Sequence, residues 1–253
     1  MIKLFITDLD GCLTYPFETP DWELITRLRG YNKLSRTDPT VPALTICTGR
    51  PQPYVEAVAQ WLDIEYPVIF ESGGGLYKPR VNELHWSPFL TDKLINHLED
   101  IRNYVTRKVL PDYPKSFLEY SKHTDVGVVS ANSSEIQEMY SRIKQYVLDR
   151  YTEFEIHYTE VSCNVIAKAC NKGAGVSYLS ELISISTGQM AYIGDGTNDI
   201  PALKKVERPF APQNAREETQ KVAEVLDFPV TSAVVKAYEM LIADNRKQLV
   251  APR

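Results

Sequence analysis

The segment IKLFITDLDG, residues 2–11, decides the fold of this 253-residue chain. Its first part, residues 2–7, is short and apolar and contains β-branched side chains, which is typical of a buried strand. Asp8 and Asp10 follow at once, with Gly11 after them. Open α/β sheets build their active sites in the loops at the carboxyl ends of parallel strands. The segment therefore predicts a central strand that ends in two carboxylates, although Asp and Gly also form ordinary turns.

Buried strands alternate with helices in two regions of the chain, before residue 79 and again after residue 172. The predicted helices are residues 22–34, 53–62, 174–185, 200–205 and 233–243. The predicted strands are residues 43–47, 68–70 and 190–193, and residues 222–226 are interpreted as part of a passage from helix to strand. Such alternation indicates a doubly wound parallel sheet in an α/β fold.

The pattern between these two regions is different. Helical spacing at residues 90–108 and 134–151 is interleaved with two pairs of short strands, at 116–120 with 126–130 and at 154–158 with 161–167. This arrangement predicts a small α+β domain inserted into the chain. We therefore expect a core of residues 1–79 and 168–253 and an inserted domain of residues 80–167.

Three further segments carry chemistry. The loop GDGTND, residues 194–199, follows a second apolar strand, and a divalent cation such as Mg²⁺ would relieve the repulsion between its carboxylates and those of Asp8 and Asp10. Thr48 and Gly49 follow a third strand, where a hydroxyl and an amide can hold an anion. Lys172 opens a helix and could clamp a phosphate. Each segment alone is also consistent with an ordinary turn or a solvated cation.

Taken in order, the segments resemble the four motifs of the haloacid dehalogenase-like (HAD) superfamily of phosphohydrolases. DLDGCLT, residues 8–14, resembles the first motif; residues 48–50, Lys172 and residues 194–199 resemble the second, third and fourth. The insertion lies between motifs two and three, where type-2 caps are found. The resemblance implies a Rossmann-like HAD core with an α+β cap.

The resemblance also implies a role for each matching residue. Asp8 is expected to be the nucleophile, and Asp10 the general acid and base. Mg²⁺ would be bound by Asp8, by the backbone carbonyl of Asp10 and by Asp195, with Asn198 and Asp199 in support. The residues expected to hold the phosphoryl group are Gly11, Thr48, Gly49 and Lys172. Cys12 departs from the usual Thr, at a position expected to pack.

The inserted domain resembles the type-2 (C2B-like) cap of the Cof-like, sucrose-phosphatase-like and mannosyl-3-phosphoglycerate-phosphatase-like branch. Such a cap excludes water and recognises the leaving group. The candidates for this recognition are Arg50, Glu71, Asn164 and Lys168. Each of the four could equally be a solvated polar residue.

The sequence thus predicts a Mg²⁺-dependent phosphomonoesterase that hydrolyses a small phosphorylated metabolite, either a sugar phosphate or a phosphoglycerate derivative, through an aspartyl-phosphate. A sugar-phosphate phosphomutase is the second hypothesis. A non-catalytic regulator that binds a sugar phosphate is the third, and the pair Asp8 and Asp10 counts against it. The presence of Asp10 also argues against a dehalogenase.

Composition and charge argue against several other classes of protein. A net charge of −5 without a basic block argues against binding to nucleic acid or to an anionic membrane. No apolar run approaches the roughly 20 residues of a membrane span, and the first residues lack the features of a signal peptide. The four cysteines form no C-x-x-C pair. We interpret them as reduced and expect a cytoplasmic protein, of an oligomeric state that the sequence does not indicate.

Overall fold

The computed structural model describes residues 1–250. The chain begins with β1 (Leu4–Thr7), α1 (Trp22–Leu34), β2 (Ala43–Ile46), α2 (Gln52–Leu62), β3 (Val68–Phe70), β4 (Gly75–Lys78) and β5 (Glu83–Trp86). The middle part forms α3 (Asp92–Tyr104), β6 (Phe117–Leu118), β7 (Asp125–Val129), α4 (Ser133–Leu148), β8 (Phe154–Tyr158) and β9 (Ser162–Ala167). The last part forms α5 (Lys172–Ile183), β10 (Met190–Ile193), α6 (Ile200–Leu203), β11 (Arg208–Ala211), α7 (Glu217–Gln220), β12 (Glu224–Val225) and α8 (Val230–Val250).

These elements divide into two compact units. The first consists of Met1–His85 together with the chain from Lys172 onward, and the second is Trp86–Asn171. The limits expected for the inserted domain, residues 80 and 167, each lie a few residues before the limits of the second unit.

Five strands of the first unit form a parallel sheet in the order β12-β11-β10-β1-β2. Thr7, the last residue of β1, pairs with Ile193 at the end of β10 and with Ile46 at the end of β2. Because the three strands end at one level, the loops that follow them leave the same edge of the sheet. Asp8 begins one of these loops, and the loops with Thr48 and Asp195 lie on either side of it.

Alternate side chains of β1 enter different apolar layers. Phe5 belongs to a cluster that includes side chains of α1, α2 and α8, whereas Leu4 and Ile6 belong to a cluster with side chains of α5 and α6. Helices therefore cover both faces of the sheet, which explains why β1 is an unbroken apolar run and is fully buried. The predicted α/β class with a doubly wound parallel sheet is confirmed.

The longest helix among residues 1–250, α8, forms hydrogen bonds to the chain before and after β1. At its start the Thr231 hydroxyl donates to the carbonyl oxygen of Leu13 at 2.7 Å, and near its end the Asn245 amide donates to that of Ile2 at 2.7 Å. Within the described residues, no helix combines the length and the apolarity that a bilayer crossing requires.

The second unit contains an antiparallel sheet in the order β6-β7-β9-β8. One face of this sheet packs against α3 and α4 through residues such as Val126, Val128 and Val165. The alternate positions point to the other face, where Gly127 of β7 pairs with Asn164 of β9. The single apolar face explains why these strands alternate in hydrophobicity, in contrast to β1.

Candidate active site

Asp8 is the first residue beyond β1, and its side chain is buried. One carboxylate oxygen accepts the backbone N–H of Leu9 at 2.8 Å, and the other lies 2.9 Å from the ammonium nitrogen of Lys172. Burial and the nearby charge of Asp199 raise the pKa of Asp8 well above its ordinary value, and Lys172 opposes this rise. Asp8 is therefore a fixed carboxylate whose charge depends on nearby cations.

Lys172, the first residue of α5, is 1% exposed. Besides Asp8, its ammonium group contacts the Oδ1 atom of Asp199 at 2.6 Å. Asp199 is itself held in place, because its Oδ1 accepts the hydroxyl of Tyr192 at 2.6 Å and its Oδ2 accepts the N–H of Gly196 at 2.9 Å. Burial acts to lower the pKa of Lys172, but the two carboxylates outweigh it and the pKa lies well above its ordinary value. Lys172 is thus a permanent buried cation.

Three carboxylates, those of Asp8, Asp195 and Asp199, each offer an oxygen atom within 4.8 Å of the others. When all three are ionised, Lys172 balances one of the three charges and two remain uncompensated. Burial, with a further contribution from Asp199, raises the pKa of Asp195 to about 7. An oxygen-liganded divalent cation would supply the missing charge, so the residues fit Mg²⁺. Asp8 and Asp195 are the better ligands, since Asp199 already accepts three hydrogen bonds.

Gly11 allows Asp195 to approach the loop after β1. The backbone of Gly11 has a φ of +80°, and a Cβ atom there would lie 2.3 Å from the Oδ2 atom of Asp195. The Cys12 thiol is buried next to the same carboxylate, 3.9 Å from its Oδ1 atom. The residues that follow Asp10 therefore shape the space around Asp195.

The side chain of Asp10 faces Arg50. The two groups form a bidentate ion pair, with the Nε and Nη2 atoms of Arg50 each 2.7 Å from a different oxygen of Asp10. The guanidinium carbon also lies 5.1 Å from the centre of the Tyr54 ring. The assignment of the Asp10 backbone carbonyl to Mg²⁺ stays a prediction.

Thr48 and Gly49 lie on the loop after β2. Thr48 is buried, and its backbone N–H and C=O bond to Ile69 and Ser72. A Cβ atom at Gly49 would lie 3.3 Å from the Ser72 hydroxyl, so the two loops are tightly packed. Glu71, a predicted recognition residue, is 2% exposed, and its N–H donates to the carbonyl of Arg50. This packing fixes the backbone of the second motif.

The other two predicted recognition residues belong to the second unit. The Asn164 side-chain oxygen accepts the Lys122 ammonium at 2.8 Å, and its amide nitrogen donates to Ser162. The Lys168 ammonium donates to the carbonyl of Thr152 at 2.7 Å. Their assignment to the leaving group stays a prediction. Asn198 lies in the short 3-10 turn Thr197–Asp199, which carries Asp199.

Two residues of the site, Asn214 and Tyr192, lie outside the four sequence motifs. The Asn214 amide donates to the carbonyl of Gly11 at 2.8 Å and its oxygen accepts the N–H of Val230 at 3.0 Å, so it ties the loop of Asp8 to the start of α8. Its signal was its place in a polar segment just after β11. Tyr192 lies within an apolar strand and gives no such signal.

Curated relatives cover most of the chain. A protein from Methanopyrus kandleri named phosphoglycolate phosphatase is 27% identical over 228 residues, which cover 89% of this chain and 90% of the relative. A protein of the same name from Methanococcoides burtonii is 24% identical over 227 residues, or 88% of each chain.

Solved structures share the fold. A crystal structure from Thermoplasma acidophilum has a TM-score of 0.72 at 20% identity and covers 95% of this chain and 98% of its own. The sucrose-phosphatase of Synechocystis, solved with sucrose and phosphate, has a TM-score of 0.67 at 16% identity and covers 95% of this chain and 98% of its own. The model of the haloacid dehalogenase-like hydrolases matches residues 93–236, more than half of the chain, with Lys172 and Asp195 among them. The chain therefore belongs to the haloacid dehalogenase-like hydrolase family, as its motifs predict, and it is an enzyme.

Proposed function

We propose that the protein is a Mg²⁺-dependent phosphomonoesterase that hydrolyses a small phosphorylated metabolite, a sugar phosphate or a phosphoglycerate derivative, through an aspartyl-phosphate at Asp8. The observation that carries this proposal is the contact of Asp8 with Lys172 beside the carboxylates of Asp195 and Asp199. The names of the two phosphoglycolate phosphatases support the reaction class.

In the first step an oxygen of Asp8 attacks phosphorus while the bond from phosphorus to the ester oxygen breaks. Asp10 gives a proton to that oxygen, and the alcohol leaves. In the second step water attacks the aspartyl-phosphate, Asp10 takes a proton from the water, and phosphate and the Asp8 carboxylate are formed. Both steps need Asp10 as a proton carrier, which agrees with its position two residues after Asp8.

The remaining groups orient the nucleophile and neutralise the charge of the phosphoryl group. Lys172 holds one oxygen of Asp8, so that the other oxygen is aimed consistently, and its charge offsets that of the phosphoryl group. The Thr48 hydroxyl and the Gly49 amide would hold phosphoryl oxygens. Asp8 and Asp195 would hold Mg²⁺, whose positive charge would reduce the repulsion between nucleophile and phosphate.

The four cysteines are free thiols buried in the protein. This state supports the proposal that the enzyme works in a reducing compartment, namely the cytoplasm.

Hydrolysis of p-nitrophenyl phosphate in the presence of Mg²⁺ tests the proposed function. We expect Asp8→Asn to remove the activity, and EDTA to remove it reversibly. Asp244→Asn is the matched control, because Asp244 pairs with Arg208 and is not part of the site. Full activity of Asp8→Asn, or of the wild type in EDTA, would contradict the proposal.

A further inference from the structure

We propose that the guanidinium group of Arg50 is the binding site for a carboxylate of the substrate, and that Asp10 occupies this site in the free enzyme. The inference rests on the proposed phosphomonoesterase function and narrows its substrate class to phosphate esters of small hydroxy acids.

The contact between Arg50 and Asp10 is already a complete carboxylate site. Two nitrogen atoms of the guanidinium fork each bond a separate oxygen at 2.7 Å, which is the geometry in which arginine binds carboxylates in general. The Tyr54 ring lies 5.1 Å from the guanidinium carbon and limits its movement. A substrate carboxylate could therefore take the place of Asp10 on the guanidinium fork when the Asp10 side chain moves away.

The pair is accessible, unlike the ion pairs of Lys172. The side chains of Arg50 and Asp10 are 19% and 31% exposed, whereas those of Lys172 and Asp8 are 1% and 7% exposed. Ion pairs that water reaches contribute little to stability. Exchange of one carboxylate for another also leaves the charge on Arg50 balanced.

The backbone of Arg50 is held in place, whereas the carboxylate bound to its side chain can be exchanged. Its N–H contacts the Thr48 hydroxyl at 3.2 Å, and its carbonyl accepts the N–H of Glu71 at 3.0 Å. Arg50 therefore stays at a constant distance from Thr48, a proposed phosphate ligand. A fixed phosphate site and a fixed cation would together recognise a molecule that carries two anionic groups.

The chemistry of the reaction sets the spacing. In the proposed mechanism Asp10 must reach the ester oxygen, and Arg50 contacts Asp10 directly. In the phosphate ester of a 2-hydroxy acid, one carbon atom separates the carboxylate from that oxygen. The carboxylate of such a substrate would therefore lie within reach of the Arg50 guanidinium group. The exchange also releases both oxygens of Asp10 for proton transfer, so that binding of the correct substrate would prepare the general acid.

Two substrates that differ only in the carboxylate test this inference. They are 2-phosphoglycolate and 2-hydroxyethyl phosphate, in which a neutral CH₂OH group replaces the carboxylate. We expect the wild type to prefer 2-phosphoglycolate by about tenfold or more in kcat/KM, because the neutral analogue cannot replace Asp10 on the Arg50 fork. In Arg50→Gln the ratio should fall to within roughly threefold of one, and Arg50→Lys should be intermediate, since lysine keeps the charge but not the fork.

Arg36→Gln is the matched control, since this arginine of the first unit pairs with Asp63 and Glu65, and the substrate ratio should be that of the wild type. A parallel loss of activity on both substrates in Arg50→Gln would overturn the inference, because Arg50 would then act on Asp10 alone. A wild type without preference would overturn it as well. If that wild type still hydrolyses p-nitrophenyl phosphate, the proposed function stands. If it hydrolyses no phosphate ester, the proposed function and the inference fall together.

Discussion

Each unit of the molecule buries one lysine between two carboxylates, but the two lysines differ in what surrounds them. Lys172 of the first unit contacts Asp8 and Asp199. Lys122 of the second unit is 3% exposed and contacts Glu119 at 2.8 Å and Asp125 at 3.2 Å.

The difference lies in the other partners of the two ammonium groups. Asn164 provides Lys122 with a third acceptor at 2.8 Å, and three acceptors satisfy its three N–H bonds. The carboxylates beside Lys172 instead have a further carboxylate, that of Asp195, next to them. A buried lysine is therefore structural where its charges nearly balance, and it is suited to chemistry where negative charge remains for a cation and a phosphate.

Replacement of either lysine should have the largest effects. We expect Lys172→Met to lower kcat by about 10² to 10³, because it removes a charge that faces the phosphoryl group. Lys122→Met should instead lower the free energy of unfolding by about 3–5 kcal/mol, because it removes the cation that Glu119 and the buried Asp125 share. Steady-state kinetics and urea unfolding of both variants measure these effects. Similar losses of kcat in the two variants would contradict the distinction.

A glycine lies next to each of these two clusters, and the two should differ in the effect of an added methyl group. Gly11→Ala combines a positive φ with a Cβ atom 2.3 Å from Asp195, so we expect Mg²⁺ affinity to fall by about tenfold or more. In Gly127→Ala the Cβ atom would lie 2.5 Å from an oxygen at the flexible end of Glu119, which can move. That variant should lose about 1–2 kcal/mol of stability and keep its Mg²⁺ affinity. Calorimetric Mg²⁺ titration and thermal unfolding separate the two outcomes.

Much of this arrangement could be predicted from the sequence. Strands that helices cover on both faces consist mostly of apolar residues, so β1 and its neighbours could be predicted. The ends of these strands gave the positions of Asp8, Thr48 and Asp195. Spacing does not give the direction of a side chain, so the pairing of Asp10 with Arg50, 40 residues away, could not be predicted. Nor could the cluster of Lys122 and Asp125, whose residues have the composition of an ordinary turn.

The negative charge that Lys172 leaves uncompensated in the first unit should make the stability of the protein depend on pH. Because the pKa of Asp195 is raised to about 7, the folded protein binds more protons than the unfolded chain between the ordinary value and pH 7. Stability of the metal-free protein should therefore fall as pH rises through this range. We expect its melting temperature in EDTA to be higher at pH 6 than at pH 8, and saturating Mg²⁺ or Asp195→Asn to reduce this difference. An unchanged difference in Asp195→Asn would contradict the assignment.

The smallest effects are expected for residues that only position others. Tyr192→Phe removes one hydrogen bond to Asp199 and should cost about 1 kcal/mol of stability with a modest loss of kcat. Asn214→Ala should lower kcat by about tenfold with little change in KM, because the loop of Asp8 loses its tie to α8. Kinetics with p-nitrophenyl phosphate checks both variants. A rise in KM at constant kcat in Asn214→Ala would show that Asn214 serves binding instead.

In the proposed mechanism Asp8 becomes phosphorylated during turnover. Acid quenching of the enzyme during the reaction with a ³²P-labelled phosphate ester tests this directly. We predict label on the protein that hydroxylamine releases, that maps to the peptide containing Asp8, and that Asp8→Asn lacks. Release of phosphate by the wild type with no label on the protein, or with label on another residue, would contradict the account.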